Sequence, residues 1–422
     1  MNMRKIGFNI VDSLKGGAIK KHVNDISYKM ANYTEVLNAN DLNDILNHAT
    51  TTTSYYKKYH DKPFNDYPIL NKESLKRNYN EILSTNYSKN ELVTTTTSGS
   101  YGTPFTYHLT ASKKKRQTAE VLYFGQLANY DIGIKHAYAR VTKAKSKFKL
   151  FLQNELLIDP TNMSEGWFED TRNELKKGYK IIIGYPSTIS MIARYSLEKG
   201  DTHKDYSING IICTAEPLVE EDKKVMEKLF NCSVTNRYST EEFGVIANSC
   251  SHGNLHINHA TFYVELLDEN NLPVSENEVG RIIVTDKYSH ALPLIRYDIG
   301  DNGKFMNGCS CGFKGKVLTE VLGRQVETIY NVDNVKVSPF AINGAMRDMD
   351  GVLRYQFSQE TVNTYELKLV CMNGFDDTQI EVIRKRFLEI LGSKAKINIY
   401  KVSAIHSLKS GKRPYIIQNF KK

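Results

Sequence analysis

A segment rich in hydroxyl side chains and glycine, residues 94–104, is the part of the chain best suited to bind an anion. Glycine lets the backbone approach a bound group, hydroxyls donate hydrogen bonds, and successive backbone N–H groups can form an anion-binding nest. The chain contains no G-x-x-x-x-G-K-[ST] pattern, so this is not a P-loop. The segment therefore predicts a phosphate-binding loop, and an exposed polar loop is the alternative that these residues leave open.

Two further polar clusters follow apolar runs, at residues 238–244 and 292–301. Open α/β sheets bind ligands at the carboxyl ends of their strands, which is where the first cluster is expected to lie. A carboxylate there could hold Mg²⁺ against phosphates, the ring of Tyr238 could stack on a base, and Asp301 could accept hydrogen bonds from ribose hydroxyls. Taken singly, the clusters could also be an acidic helix start and an Asx-turn.

Three cysteines and a histidine form a candidate metal site. Cys250 and His256 lie in one segment, and Cys309 and Cys311 in another. Three thiolates and an imidazole form a tetrahedral Zn²⁺ set, and four protein ligands indicate a closed, structural site. His252 and His259 are alternative ligands.

The elements that must position these groups are predicted from hydrophobic patterning. Strands are predicted over 179–184, 209–214 and 232–238, with helices over 186–199 and 219–230 between them. This alternation is typical of βαβ units, so we predict an α/β fold with a mostly parallel sheet. Runs at 261–267 and 280–285 predict an antiparallel pair. Helical patterns also cover 18–30, 42–48, 112–127 and 378–391.

Composition shifts near residue 324, which predicts a large domain over 1–323 and a small α+β domain over 324–422. The net charge of +9 includes the run Lys113 to Arg116, for which a solvated helix face is the expected meaning. We therefore expect no nucleic-acid partner. An apolar run near the roughly 18 residues of a membrane span and a secretory signal pattern are both missing from the sequence, so a cytoplasmic location is expected.

The order of the clusters changes their meaning. Together with 214–217, 294–297, 323–327 and 410–412, they follow the order seen in the acyl-adenylate-forming superfamily. The chain resembles the branch that contains phenylacetate-CoA ligase and the CapK-like proteins associated with polysaccharide gene clusters. The likeness runs from about residue 68 to Lys412.

The resemblance implies a role for each matching residue. The ATP phosphates would lie in the loop formed by Ser98, Gly99, Ser100, Gly102, Thr103 and Pro104. Glu216 and Pro217 would line the adenine pocket, with Tyr238 beside the base, Glu242 linked to Mg²⁺ and Asp301 on the ribose. Arg324 would follow the interdomain hinge, and Lys412, on a mobile small domain, would contact the forming adenylate. Phenylacetate-CoA-ligase-like proteins often have a similar Cys/His set.

Three departures from the family pattern matter. Tyr101 replaces a small hydroxyl residue, Ser239 replaces a glycine, and Ile299-Gly300 replaces Thr-Arg. Glu241, next to Glu242, is a second carboxylate that could hold the metal.

The implied activity is ATP-dependent ligation. A carboxylic acid and MgATP would give acyl-AMP, and the acyl group would pass to CoA, a carrier-protein thiol, or an amine or hydroxyl acceptor. A non-catalytic, nucleotide-binding scaffold of a polysaccharide-assembly complex is the alternative. The sequence does not name the acid, the acceptor or the oligomeric state.

Overall fold

The computed structural model describes residues 2–96, 106–140, 145–160, 163–324, 329–337, 341–342, 345–346, 349, 351–371, 374–405 and 415–420. Five helices precede the main sheet: α1 (Met3–Leu14), α2 (Ala18–Ala31), α3 (Glu35–Thr52), α4 (Lys72–Arg77) and α5 (Tyr79–Ile82). Short 3₁₀ turns occupy Lys57–Tyr59, Phe64–Asp66 and Lys89–Glu91. Thr34 begins α3 because its hydroxyl accepts the backbone N–H of Leu37.

An eleven-stranded sheet organises most of the chain, and one half of it is parallel. That half contains β3 (His136–Ala139), β4 (Glu155–Ile158), β5 (Ile181–Gly184), β6 (Gly210–Thr214) and β7 (Ser233–Thr240). Its strands lie in the order β4-β3-β5-β6-β7. Continuous apolar runs such as Ile181 to Ile183 form central strands because helices cover both faces of a parallel sheet.

The other half of the sheet is antiparallel and begins where β8 pairs with β7. It contains β8 (Gly244–Ser249), β9 (Leu255–Ile257), β10 (Phe262–Leu267), β11 (Gly280–Asp286), β12 (Tyr297–Asn307) and β13 (Lys316–Arg324). The predicted antiparallel pair is confirmed as β10 and β11. A separate hairpin, β1 (Val93–Thr96) with β2 (Thr106–Leu109), flanks the phosphate-loop segment.

Helices between the parallel strands match the predicted βαβ units. They are α7 (Lys147–Gln153), α8 (Glu165–Leu175), α9 (Pro186–Glu198) and α10 (Glu220–Phe230), with a 3₁₀ turn at His203–Asp205. Helix α6 (Ala111–Gly125) and the 3₁₀ turn at Gln126–Ala128 precede β3. Pro186 occupies the first turn of α9, where its missing N–H costs nothing. The predicted α/β fold is confirmed.

The expectation that Lys113 to Arg116 form a solvated helix face is wrong in part. Lys113 and Arg116 are buried on the inner face of α6. Lys113 Nζ lies 2.7 Å from Asp286 Oδ2, and the guanidinium of Arg116 donates to Asp25 and to the carbonyl of Ala260. A buried charge needs such partners, and they come from parts of the chain far from α6 in sequence.

The C-terminal part forms its own sheet. Its four strands, in the order β18-β17-β16-β19, are β16 (Val352–Gln359), β17 (Thr364–Cys371), β18 (Lys396–Lys401) and β19 (Ile416–Gln418). Helix α11 (Gln379–Leu391) packs on it through Ile383, Phe387 and Leu391, and the pair β14 (Ile329–Tyr330) and β15 (Lys336–Val337) precedes it. The predicted α+β character is confirmed, and the domain boundary at residue 324 stays a prediction.

Candidate functional site

Tyr238 and Asp301, predicted separately from two sequence clusters, are in contact. The Tyr238 hydroxyl, on β7, donates a hydrogen bond of 2.6 Å to Asp301 Oδ2, on β12. Asp301 is paired through the backbone with Arg324, at the end of β13. The structure therefore brings the predicted base-stacking, ribose-binding and hinge residues to one place, although the side chain of Arg324 lies outside the description.

Glu216 lies at the ends of the neighbouring parallel strands. It follows β6 after Ala215, whose φ of 69° is in the left-handed region and turns the chain sharply. Its carboxylate Oε2 accepts the backbone N–H of Ser187, in the first turn of α9, at 3.3 Å. The ends of β6 and β7 also approach each other, with 3.5 Å between the hydroxyls of Thr214 and Ser239. The carboxyl ends of β5, β6 and β7 thus converge on one polar edge, where open α/β sheets bind ligands.

The predicted metal-binding loop, which contains Glu241 and Glu242, is held by its backbone. The hydroxyl of Tyr107 donates to the carbonyl of Glu241, and the Gln117 amide lies 3.4 Å and 3.5 Å from the carbonyls of Glu241 and Glu242. Glu120 Oε2 accepts the backbone N–H of Val245 at 3.0 Å. These contacts use the backbone of the loop, so they leave both its carboxylates available for a cation.

Glycine is required at position 244, between the loop and β8. Gly244 has φ of 103°, and a Cβ there would lie 2.3 Å from Glu120 Oε2. Sequence reasoning missed Gln117 and Glu120. The sequence carried little signal for them, because Lys113 and Arg116, their neighbours one turn earlier on the same face of the helix predicted over 112–127, are charged.

Burial raises the pKa of Glu120 to about 7. Asp286 on β11 raises it further, whereas Lys113, Arg116 and the N–H of Val245 lower it. The second oxygen, Oε1, is enclosed and has no hydrogen-bond partner among the described residues. An ionised carboxylate loses hydration there that its neighbours only partly replace.

We expect the free energy of unfolding to fall as the pH rises toward neutrality because of Glu120. The pKa in the folded protein is above the ordinary value of 4.5, so the folded state binds the proton more tightly. This contribution is fully present below pH ~4.5 and is lost as the pH rises through about 7, by roughly 3 kcal/mol in all. Glu120→Gln keeps an acceptor for Val245 and cannot ionise. Its melting temperature should therefore exceed that of the wild type more at pH ~8 than at pH ~5, and parallel pH profiles would contradict the assignment.

Several predicted residues lie outside the described part of the chain. They are the phosphate-loop residues 98–104 and Lys412. The next described residue is Tyr415, whose hydroxyl donates a hydrogen bond of 2.6 Å to Asp222 Oδ2 in the first turn of α10. Burial and the carboxylates of Asp222 and Glu216 raise the pKa of Tyr415 well above its ordinary value. The chain three residues after Lys412 is therefore anchored on the helix that follows Glu216.

The candidate zinc ligands also meet, at the turns around β9. Ligand atoms of Cys250, His252, Cys309 and Cys311 all lie within 4.8 Å of one another. The predicted ligand His256 is adjacent, with Nε2 at 3.3 Å from Cys311 Sγ and its ring stacked on Phe313.

Hydrogen bonds favour a thiolate in this cluster. Burial raises the pKa of Cys309, but hydrogen bonds from the Cys311 backbone, Asn254, His256 and the Cys311 thiol outweigh it and lower the pKa to about 5. His259, the other alternative ligand, is buried, and its Nε2 lies 3.2 Å from the carbonyl of Lys316. The distances suit a tetrahedral thiolate and imidazole set, with His252 or His256 as the fourth ligand.

Comparison with known proteins agrees with this architecture. Residues 329–419 match the family model of the CapK C-terminal domain. Protein CapK of Staphylococcus aureus is 25% identical over 431 residues, covering 98% of this chain and 90% of CapK. Phenylacetate-coenzyme A ligase of Thermus thermophilus is 25% identical over 206 residues, 46% of each chain. The structure of 2-hydroxyisobutyryl-CoA ligase in the postadenylation state with R3-HIB-AMP superposes with a TM-score of 0.72 at 15% identity, covering 90% of this chain and 88% of the ligase.

The fold is that of the adenylate-forming acyl-CoA ligases. Within that class, the chain is a homologue of CapK along nearly its whole length. Among the described residues, no helix is long and apolar enough to cross a membrane.

Proposed function

We propose that this protein is an AMP-forming acid ligase, which activates a carboxylic acid as an acyl-adenylate and transfers the acyl group to CoA or another acceptor. The observation that carries the proposal is the contact between Tyr238 and Asp301. The end of β7, which carries Tyr238, approaches the end of β6, which Glu216 follows. The proposal assigns Tyr238 to the base, Asp301 to the ribose and Glu216 to the adenine pocket. These three side chains come together only when the two halves of the sheet are assembled. Selection for packing alone does not require these three polar groups at one edge.

In this proposal the protein mainly positions the substrates and neutralises their negative charge. The acid's carboxylate oxygen attacks the α-phosphorus, the bond from that phosphorus to the bridging oxygen breaks, and pyrophosphate leaves. Glu242, or Glu241 beside it, would hold Mg²⁺, the loop at Ser98 to Thr103 would bind the β- and γ-phosphates, and Lys412 would stabilise the charge that develops. No nucleophile from the protein is needed. Arg324 would lie beside the nucleotide, because it is paired with Asp301 across β12 and β13.

ATP–pyrophosphate exchange across a panel of aryl, aliphatic and amino acids tests the proposal. Trapping the adenylate with hydroxylamine gives a second readout that does not depend on the acceptor. We expect acid-dependent exchange with at least one class of acid. Absence of exchange and of hydroxamate with every acid, for folded protein that binds ATP, would reject the ligase.

A non-catalytic, nucleotide-binding scaffold is the second candidate. The observation that favours it is Ser239, which places a hydroxyl 3.5 Å from Thr214 where the related enzymes have glycine. Ser239→Gly separates the two functions. A scaffold binds ATP and shows no exchange in the wild type or in the variant, whereas a ligase shows exchange in both. Exchange in the variant alone would mean that Ser239 suppresses the ligase reaction. A role in cell-surface polysaccharide synthesis is part of the proposal through the likeness to CapK.

We further propose that the cysteine cluster holds one structural Zn²⁺. The three thiols and the imidazoles of His252 and His256 supply the donor types that zinc prefers, at separations that suit one ion. The ion would join the turn after β8 to the turn between β12 and β13, which are far apart in sequence.

Cys309→Ser should lower the zinc content and the melting temperature together, because metal binding contributes to folding at a structural site. Elemental analysis and thermal melting of protein purified without added metal measure both. Cys371→Ser, which changes a partly buried cysteine of the small sheet, is the matched control and should keep its zinc. His252→Ala and His256→Ala identify the fourth ligand, and full zinc in Cys309→Ser would show that the ligand set is wrong.

A further inference from the structure

Helix α1 presents its apolar face to solvent. The side chains of Met3, Ile6, Ile10, Val11 and Leu14 are between 38% and 83% exposed. They recur at helical spacing, so they cover one continuous face. A surface helix ordinarily turns such a face toward the core.

The polar side of α1 is the side that holds it on the protein. The Asp12 carboxylate is buried and accepts the backbone N–H groups of Ile19 and Lys20, at the start of α2. The amide of Asn2 donates to the carbonyl of Ile132 at 2.6 Å, and Lys5 pairs with Asp131. These contacts fix the orientation of the helix, so the exposure of the apolar face is built into the structure.

Helix α7 extends the apolar surface. Phe148, Phe151 and Leu152 are between 53% and 70% exposed. The guanidinium carbon of Arg4 lies 5.2 Å from the centre of the Phe151 ring, which joins α7 to the first turn of α1. We call this surface, formed by the eight exposed apolar side chains of α1 and α7, the α1–α7 face.

The charges around the α1–α7 face are almost all positive. Lys15, Lys147 and Lys149 are exposed at its edges. The only acidic residue of the two helices is Asp12, which is buried. Two acidic groups of the neighbouring chain segments are paired with lysines, Asp131 with Lys5 and Glu155 with Lys145.

We propose that the α1–α7 face docks the protein on an anionic lipid surface. Amphipathic helices bind membranes by placing their apolar face at the boundary between headgroups and acyl chains, with lysines against anionic headgroups. The face supplies both components side by side. A second copy of the chain fits the charges less well, because a two-fold contact through this face would bring Lys147 and Lys149 toward the lysines of the partner. The proposal does not depend on the ligase activity.

Cosedimentation with vesicles tests the proposal, using phosphatidylcholine alone and equal parts of phosphatidylcholine and phosphatidylglycerol. We expect the wild type to bind the mixed vesicles, to bind phosphatidylcholine vesicles at least about tenfold more weakly, and to be released by salt. Ile6→Ser/Ile10→Ser and Lys147→Glu/Lys149→Glu should each reduce binding to the mixed vesicles at least about tenfold. Leu272→Ser, at a side chain 61% exposed on the β10–β11 connection, is the matched control and should bind like the wild type.

Circular dichroism melts of each variant show whether it is folded, and light scattering gives its oligomeric state. A folded wild type that binds neither vesicle overturns the proposal. So does a dimer that Ile6→Ser/Ile10→Ser converts to a monomer, because the face is then an interface between copies. Equal binding to both vesicle types, unaffected by Lys147→Glu/Lys149→Glu, would also reject recognition of anionic lipid.

Discussion

Replacing Lys412 by alanine is expected to lower the rate of acyl-adenylate formation by about 100- to 1000-fold, while the affinity for ATP changes little. The proposed contact is with charge that develops at the α-phosphate during the reaction, so its loss affects the transition state more than bound ATP. Turnover by pyrophosphate exchange and ATP affinity by calorimetry, measured on the same preparation, separate the two effects.

Lys409→Ala is the matched control for Lys412→Ala, because it removes the same charge from the same segment. It should turn over at close to the wild-type rate. Unchanged turnover in Lys412→Ala would remove this lysine from the mechanism. Equal losses in both variants would point to the net charge of the segment instead.

Asp301→Ala is expected to raise the KM for ATP by about 10- to 100-fold, with a smaller effect on kcat. A carboxylate that binds ribose hydroxyls contributes roughly 1.5–3 kcal/mol, and it does so in the ground state and the transition state alike. Steady-state pyrophosphate exchange at varied ATP concentration measures both constants.

Tyr238→Phe is the companion to Asp301→Ala, because it removes the hydroxyl that donates to Asp301 and keeps the ring. Its effect on KM should be smaller, and the double variant should lose less than the two single losses combined, since both act through one hydrogen bond. A KM for ATP within about twofold of the wild type in Asp301→Ala would show that ribose binds elsewhere.

The convergence of the residues proposed to bind the nucleotide could be predicted from the sequence. Tyr238 follows an apolar run in a βαβ pattern, and parallel strands end at the same edge of a sheet. The family resemblance then assigned Tyr238 to the base and Asp301 to the ribose of one nucleotide, and the hydrogen bond between these side chains agrees with that assignment. Short-range patterns were sufficient for Tyr238, because the end of a buried strand is visible in the sequence as the end of an apolar run.

Other features depend on contacts between distant segments, which local patterns do not contain. The run Lys113 to Arg116 predicts a solvated helix face, because its charges are visible in the sequence. Its partners Asp25 and Asp286 are far from it along the chain, so the local pattern does not show that these charges are paired and buried. The place of Glu120 beneath the loop at Gly244 likewise depends on how α6 packs against β8. Whether His252 or His256 completes the cysteine cluster is decided by the turn between them, and spacing fits both.

The junction between the parallel and antiparallel halves of the sheet affects how cooperatively the chain unfolds when a nucleotide is bound. Tyr238 and Glu216 come from the parallel half, whereas Asp301 comes from the antiparallel half, four strands further along the sheet order from β7 to β12. A nucleotide bound to all three would act as a noncovalent crosslink between two regions that have separate apolar clusters. The binding free energy of the nucleotide would then be lost when either half of the sheet unfolds. Saturating ATP would therefore suppress the separate unfolding of each half and merge the two unfolding transitions into one.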